Sequence, residues 1–339
     1  MDLPKLLDEN ELFTKERREE IKKLLMDEFL GTMPSDLNSE FEIVRLDENF
    51  YGGKAVFKEV KAKLSKGKRK YSFNFKTVYP KGITRKLSSF LCLTFTDAIA
   101  EGMGEELTDE GYYVASVNYN DIEPDVQVES FEGLQGFCEE AAGNRWGKIG
   151  VWAYGASRII DYLEKESNID VSKIAVAGHS RLGLAAGWCG ALDERVALTI
   201  CNNNGSLYRE TKKESYKDLS REYTRYWFCK NAFRDGRSEK DIPFDMHFMH
   251  ALIAPRHLYL AGASEDEWAD AEAIKLSAIA ATPAFKALGV EGFVDEGREG
   301  ERVISYHKGN IGYHLRFGTH YFGRDDWREV MRYRREQDC

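Results

Sequence analysis

The first part of the chain alternates between helical and extended patterning. Ile21, Leu24, Leu25 and Phe29 recur on one side of an amphipathic helix over residues 11–29, which is expected to pack on the outside of the main body. Residues 40–46, 55–64 and 71–79 alternate or are enriched in β-formers. They read as leading antiparallel strands, the last two joined around Ser65-Lys66-Gly67-Lys68. Residues 88–95 are a near-continuous apolar run, as a strand covered on both faces requires, and residues 112–117 are another. Residues 121–144 are polar with weak helical content, and loops of that length are often functional. Ile149, Trp152, Ala156, Ile159 and Leu163 keep a helical period over 147–163. Strands follow at 174–177, 195–201 and 257–263, then a helix over 271–281. Residues 292–294 and 311–315 are weaker strands, and a helix over 326–335 closes the chain. Residues 206–241 are polar and aromatic and read as a cap-like insert. Strands alternating with helices, behind a run of antiparallel strands, imply an α/β domain over 1–339 with a mostly parallel sheet covered on both faces.

The strand at 174–177 has an unusual continuation. Gly178-His179-Ser180 follows it at once, and then a small-residue run, Gly183 to Gly187, with helical character. Strand, abrupt turn and helix with a serine at the corner is the layout of a nucleophile elbow, which stands a hydroxyl at the carboxyl edge of an α/β-hydrolase sheet. Here Leu182 occupies the usual glycine position and the glycine comes one later, at Gly183. A serine after a strand can also simply cap the following helix.

A serine hydroxyl needs a base, and the base needs a carboxylate to hold its tautomer. On this fold the chain order is serine, acid, histidine. The strand at 257–263 runs into Ser264-Glu265-Asp266-Glu267-Trp268-Ala269-Asp270, where Glu265, Asp266, Glu267 and Asp270 are all in reach as the acid. Three histidines follow, at 307, 314 and 320. His314 lies in a strand-like run and suits a structural role. His320 sits in a loop behind Gly318-Thr319 and before aromatic residues, as a base over the sheet edge would.

Composition narrows the partners. The net charge of −9 argues against nucleic acid, since phosphate contacts need a basic surface, and the basic stretch Lys61–Lys70 reads as a solvated hairpin. The six cysteines are scattered without a CxxC pair, so neither a disulfide framework nor a zinc site is expected. Residues 1–20 are charged and lack an apolar leader, and no run reaches membrane-spanning length, so a cytoplasmic protein without a membrane partner is expected. There is no G-x-G-x-x-G after a strand, which weighs against a dinucleotide oxidoreductase, and no phosphate loop. His247 and His250 are three apart but lack a flanking His-Glu motif; no metal and no cofactor is expected.

Gly178-His179-Ser180-Arg181-Leu182-Gly183 resembles the G-x-S-R-x-G elbow of the glucuronoyl esterases, carbohydrate esterase family fifteen, and of related bacterial acetyl-xylan-esterase-like hydrolases. The resemblance continues through Asp193-Glu194-Arg195, Tyr226-Trp227-Phe228-Cys229, Pro243-Phe244-Asp245 and Ala254-Pro255-Arg256. It runs on through Glu265 to Asp270, Gly312-Tyr313-His314-Leu315-Arg316 and Gly318-Thr319-His320, so it covers roughly Ser88 to the C-terminus. It implies an α/β-hydrolase fold with Ser180 as nucleophile, His320 as general base and Asp266, two residues before Trp268, as orienting acid. It implies Arg181 at the oxyanion hole and Trp268 facing the sugar. Asn203 and Trp227 are expected at the substrate pocket, whose wall the aromatic insert (Tyr208, Tyr216, Tyr223, Tyr226, Trp227, Phe228) would form if it does not pack into the core. Two positions depart from the fungal pattern: Leu184 replaces a lysine that contacts the glucuronate ring, and Asn203 replaces an acid. The second supports Asp266 as the acid, and the first weakens glucuronoyl specificity. The expected function is a serine carboxylester hydrolase acting through an acyl-enzyme on a small-molecule or oligosaccharide ester, an acylated or uronate-ester carbohydrate. The alternative is a hydrolase-fold carbohydrate-binding protein without turnover.

Overall fold

Strands that read as unbroken apolar runs need cover on both faces, and in the folded chain they lie at the middle of one large sheet. A computed structural model describes residues 3–7, 12–35, 37–100, 102–126, 133–137, 143–204, 225–233 and 242–339. The strands are β1 (Asn38–Phe50), β2 (Ala55–Lys66), β3 (Arg69–Pro80), β4 (Leu87–Thr94), β5 (Tyr113–Asn118), β6 (Ile169–His179), β7 (Val196–Asn202), β8 (His257–Ala263), β9 (Arg298–Glu299), β10 (Val303–Tyr306) and β11 (Ile311–Arg316). They form one sheet in the order β1-β2-β3-β5-β4-β6-β7-β8-β11-β10-β9. β5, β4, β6, β7, β8 and β11 are parallel, and β1, β2 and β3 form the antiparallel meander expected from their alternation. The turn at Gly67 joins Lys66 to Arg69 across the basic hairpin. This is the α/β-hydrolase fold, with the serine-bearing strand β6 near its centre.

Helices cover both faces. Lys148–Leu163 and Arg181–Leu192 pack over β6 with Trp152, Ile159, Ile160 and Trp188 fully buried. On the other face, Arg324–Gln337 buries Trp327, Val330 and Tyr333 against Phe90, Tyr259 and Ala177. The first helix begins at Lys15, because Thr14 accepts a hydrogen bond from the Arg17 N–H and caps it. A wider turn over Met26–Leu30 then buries Phe29 and Leu30. Phe29 packs on Phe228 with ring centroids 4.2 Å apart, its carbonyl accepts from Cys229 N at 2.9 Å, and the Leu30 carbonyl accepts from Gly147 N at 3.0 Å. The N-terminal segment is thus part of the core rather than an external brace.

Several elements differ from expectation. Residues 292–294 form only an isolated bridge, Phe293 to Ile311. β9 and β10 were not anticipated; β9 has two exposed residues and no apolar signal. Met246–Ala251 is a helix too short for a period, capped by Asp245, which explains the Pro243-Phe244-Asp245 stretch. Ala271–Ala287 runs past the expected end, through Pro283. Arg195 pairs with Asp193 and Asp161, and Arg256 donates to the carbonyls of Asp193 and Val196, so both motif arginines brace loops away from the serine. The insert lies mostly outside the described residues, including Tyr208, Tyr216 and Tyr223. Among the described residues, no helix is long and apolar enough to cross a membrane.

A tight packing constraint at the elbow falls at Gly178. A Cβ there would lie 2.1 Å from the Leu182 carbonyl oxygen. Replacing Gly178 with alanine is therefore expected to destabilise the fold by about 3 kcal/mol or more, the upper range for overpacking a rigid core. Urea unfolding monitored by circular dichroism checks this; a midpoint equal to that of the parent chain would contradict it.

Candidate active site

At the carboxyl end of β6 the chain turns directly into the helix Arg181–Leu192. Ser180 sits at that corner with φ 56° and ψ −128°, in a region that side chains rarely occupy. Its N–H donates to the Asn202 carbonyl at 2.8 Å, which ties the corner to the end of β7. Its side chain makes no capping hydrogen bond and is half-buried. Of the two readings of this serine, the backbone adopts the elbow. The Arg181 N–H, at the first helical position, has no acceptor within the helix and faces the zone where helix termini favour negative charge.

The candidate acid and base follow neighbouring strands. β8 and β11 are adjacent and parallel, so the loops that follow them meet. Ser264 N donates to the Arg316 carbonyl at 2.9 Å and Glu265 N to the Gly318 carbonyl at 2.8 Å. This brings Asp266 to His320, with Oδ2 2.6 Å from Nδ1. An ionised carboxylate only accepts, so Nδ1 carries the proton and Nε2 is left to take one. Asp266 is buried, and burial alone would raise its pKa. The hydrogen bond from His320 and those from the N–H groups of Ala269 and Trp268 to Oδ1 outweigh burial and hold the carboxyl below its ordinary range. Of the other three acids in this loop, Glu265 and Glu267 are exposed, and Asp270 caps the helix Ala271–Ala287.

The His320 ring lies 4.4 Å, centroid to centroid, from that of His179, the residue before the serine. His179 Nδ1 donates to Asn202 Oδ1 at 2.6 Å, and Asn202 Nδ2 donates to Asp326, which fixes the amide's orientation. Burial, and secondarily the neighbouring His320, pushes the His179 pKa down to about 4. A neutral ring there does not oppose the positive charge that a base beside it acquires on accepting a proton. Sequence patterning had marked His179 only as a motif spacer.

Arg181 is held from three sides. Its Nη1 donates to Asp125 Oδ2 at 2.8 Å, and its guanidinium lies 5.3 Å from the Phe95 ring and 4.7 Å from that of Trp227. Trp227 Nε1 donates to the other Asp125 oxygen at 3.0 Å. Asp125 is held in turn by Lys148, buried and with its ammonium on the carbonyls of Pro124 and Val126, both at 2.5 Å. Asp125 and Lys148 were not picked out from the sequence, where the only signal was a long polar loop. Trp268 is 40% exposed, two residues from Asp266, and Trp227 lies against Arg181. Asn203 follows β7 at φ 45° with its side chain fully enclosed, and neither amide atom has a hydrogen-bond partner among the described residues. Leu184 is packed in the core, and Phe228 joins it there. His247 bonds the Pro4 carbonyl and His250 bonds Ser277; among the described residues, no group of acids, histidines and cysteines is placed to hold a metal.

A strained serine at the end of a central parallel strand, with a histidine–aspartate pair from later loops of the same sheet edge, defines an ester hydrolase of the α/β-hydrolase class. Comparison with known proteins places it further. The family model for fungal glucuronyl esterases matches residues 63–289. Carbohydrate esterase MZ0003, from an unknown prokaryotic organism, is 32% identical over 307 residues, covering 87% of this chain and 67% of that protein. A 4-O-methyl-glucuronoyl methylesterase of Wolfiporia cocos is 36% identical over 43% of this chain and 40% of its own length. The structure of a glucuronoyl esterase from Solibacter usitatus superposes with a TM-score of 0.87 at 26% identity, over 99% of this chain and 98% of that one. A promiscuous CE15 esterase from a marine bacterial metagenome gives 0.83 at 28% identity, over 98% and 96%. The chain belongs to the glucuronoyl esterase family and is a carboxylic ester hydrolase.

Because burial lowers the His179 pKa to about 4, and those of His250 and His307 to about 3, all three are neutral in the fold at pH values where the unfolded chain begins to bind protons. Their contribution to stability is present above the unfolded value near 6.5 and is lost progressively as pH falls from there, toward about 4 for His179 and about 3 for His250 and His307. The melting temperature is expected to drop across that window, and proton NMR is expected to show His179 titrating near 4. A His179 resonance titrating at 6–7 would contradict the burial assigned to it.

Proposed function

We propose that the chain hydrolyses carboxylic esters of carbohydrates through an acyl-enzyme. His320 Nε2 takes the Ser180 proton as Oγ attacks the ester carbonyl carbon, forming the C–O bond. Negative charge collects on the carbonyl oxygen and is met by the Arg181 N–H and guanidinium; one such donor is worth about a hundredfold or more in rate. Asp266 holds the tautomer and balances the imidazolium. His320 then gives its proton to the departing alcohol oxygen as the ester bond breaks. Water, deprotonated by the same nitrogen, releases the acid and restores Ser180. The observation that carries this reading is the Asp266–His320 hydrogen bond at 2.6 Å beside the strained Ser180 corner.

The substrate class rests on the relatives and on the surroundings. The named relatives are carbohydrate and 4-O-methyl-glucuronoyl esterases. Exposed Trp268 offers an apolar face of the kind that stacks on a sugar ring. Past Phe95, which packs on Arg181, the residues Thr96 and Asp97 line a polar cleft of about 630 Å³ with Glu59, Lys61, Asn74 and Asn118. Hydroxyl-rich chains suit such a lining. With the core residue Leu184 supplying no cation, we propose both uronate esters and acetylated sugars as the candidate class. For location we propose the cytoplasm, on the five free, buried cysteines among the described residues.

The test is a panel of methyl glucuronate esters, acetylated xylo-oligosaccharides and p-nitrophenyl acetate, with Ser180→Ala as control. At least one carbohydrate ester is expected to exceed p-nitrophenyl acetate in kcat/KM, because remote binding energy is spent in the transition state. Ser180→Ala is expected to lower turnover by about a thousandfold or more. Undiminished turnover in that variant would falsify the mechanism. An active enzyme with no advantage for any carbohydrate ester would remove the substrate assignment.

A further inference from the structure

His320 lies on a loop, and loops are poor platforms for a base that must be held to within about half an ångström. Beyond its bond to Asp266, an arginine grips this one on both sides of the ring. Arg316, the last residue of β11, is only 7% exposed. Its Nη2 donates to the Thr319 carbonyl at 2.8 Å and to the Tyr321 carbonyl at 2.7 Å, the carbonyls of the residues on either side of His320. Its own carbonyl accepts from Ser264 N, at the start of the loop that carries Asp266. One residue therefore grips the base loop by its side chain and the acid loop by its backbone.

The guanidinium is aimed by Asp326. Arg316 Nε lies 3.1 and 3.0 Å from the two Asp326 oxygens. Asp326 is completely buried, and every other donor on it is accounted for: His314 Nε2 at 2.9 Å, Asn202 Nδ2 at 3.3 Å and the Gly323 N–H at 2.8 Å. His314 is fixed from its far side by the Tyr259 hydroxyl at 3.0 Å. A buried carboxylate is costly unless it is paired and hydrogen-bonded, and this one is saturated. Asn202 extends the network to His179, so both rings beside the serine are tied to one carboxylate. Gly318 makes room for it: at φ 144° it has no side chain, and a Cβ there would meet Arg316 Nη1 at 2.5 Å.

We propose that Arg316 and Asp326 are positioning residues for the reaction, setting the place of the His320 imidazole through the backbone on both sides of it. This rests on His320 being the base of the proposed esterase. Neither side chain needs to touch the substrate. Lysine has a single ammonium on a flexible stem, without the rigid fork that meets both carbonyls and the carboxylate at once. Arg316→Lys should therefore displace the ring without changing the local charge. Asp326→Asn keeps the shape and removes the charge that aims the guanidinium.

The experiment measures kcat and KM of Arg316→Lys, Asp326→Asn and the parent chain on p-nitrophenyl acetate. Thermal melting is recorded alongside, together with the downfield proton resonance of the His320 Nδ1–H. Folded variants are expected to lose about 10- to 100-fold in kcat with KM within twofold, the scale of a misplacement near 1 Å, and the downfield resonance is expected to shift or broaden. A folded variant with parental kcat and an unchanged resonance overturns the proposal. Loss of the fold in both variants also overturns it, by assigning the network to stability alone. A parent chain without activity, or one whose activity survives His320→Ala, overturns the underlying assignment of the base instead.

Discussion

A single turn of backbone sets the terms for the whole site. Ser180 can stand at positive φ only because the chain packs tightly around it. Gly178 has no side chain, the Leu182 carbonyl comes close to it, and the Ser180 N–H is fastened to the end of β7. Strain of this kind persists where the surroundings over-determine it. Here they are the central parallel strands and the helix Arg181–Leu192, both fully covered. The rest of the site is arranged around a hydroxyl whose position has already been settled by the core.

The two halves of the chemistry are held in different ways. The proposed acid and base are joined through the sheet, because β8 and β11 are neighbours and their following loops share hydrogen bonds before Asp266 and His320 meet. The proposed oxyanion side is joined through side chains. Lys148 holds the strand of backbone around Asp125, and Asp125 divides its two oxygens between Arg181 and Trp227. Arg181, next in the chain to Ser180, keeps its charge while being fixed in direction. The buried lysine that supports it has its own pKa lowered by desolvation, against the pull of Asp125 and Glu123.

Much of this was legible before any coordinates. The meander, the parallel strands, the elbow and the closing helix follow from period and from small residues in a row. Ser180 and His320 were singled out by their places at strand ends. Four carboxylates within seven residues could not be told apart by pattern, since what separates them is burial, and burial depends on a loop fifty residues away. Asp266 came from resemblance, and the structure supplies the reason: it alone among them faces His320. Asn203 read as pocket lining because a polar residue after a strand end has that pattern; in the fold its side chain is fully enclosed. Asp125, Lys148 and Asp326 were invisible because each earns its place through partners far off in the chain.

The N-terminal turn over Met26–Leu30 has a wider reach than its position suggests. Phe29 meets Phe228 and its carbonyl holds Cys229, two residues beyond the tryptophan that flanks Arg181, while the Asp27 carbonyl takes Asn144 and Asn231. This turn is thereby coupled to the segment that places Trp227 beside Arg181. Drift in this stretch between related sequences can retune which esters are accepted without any change at the reacting groups, and comparisons confined to motif residues would overlook it.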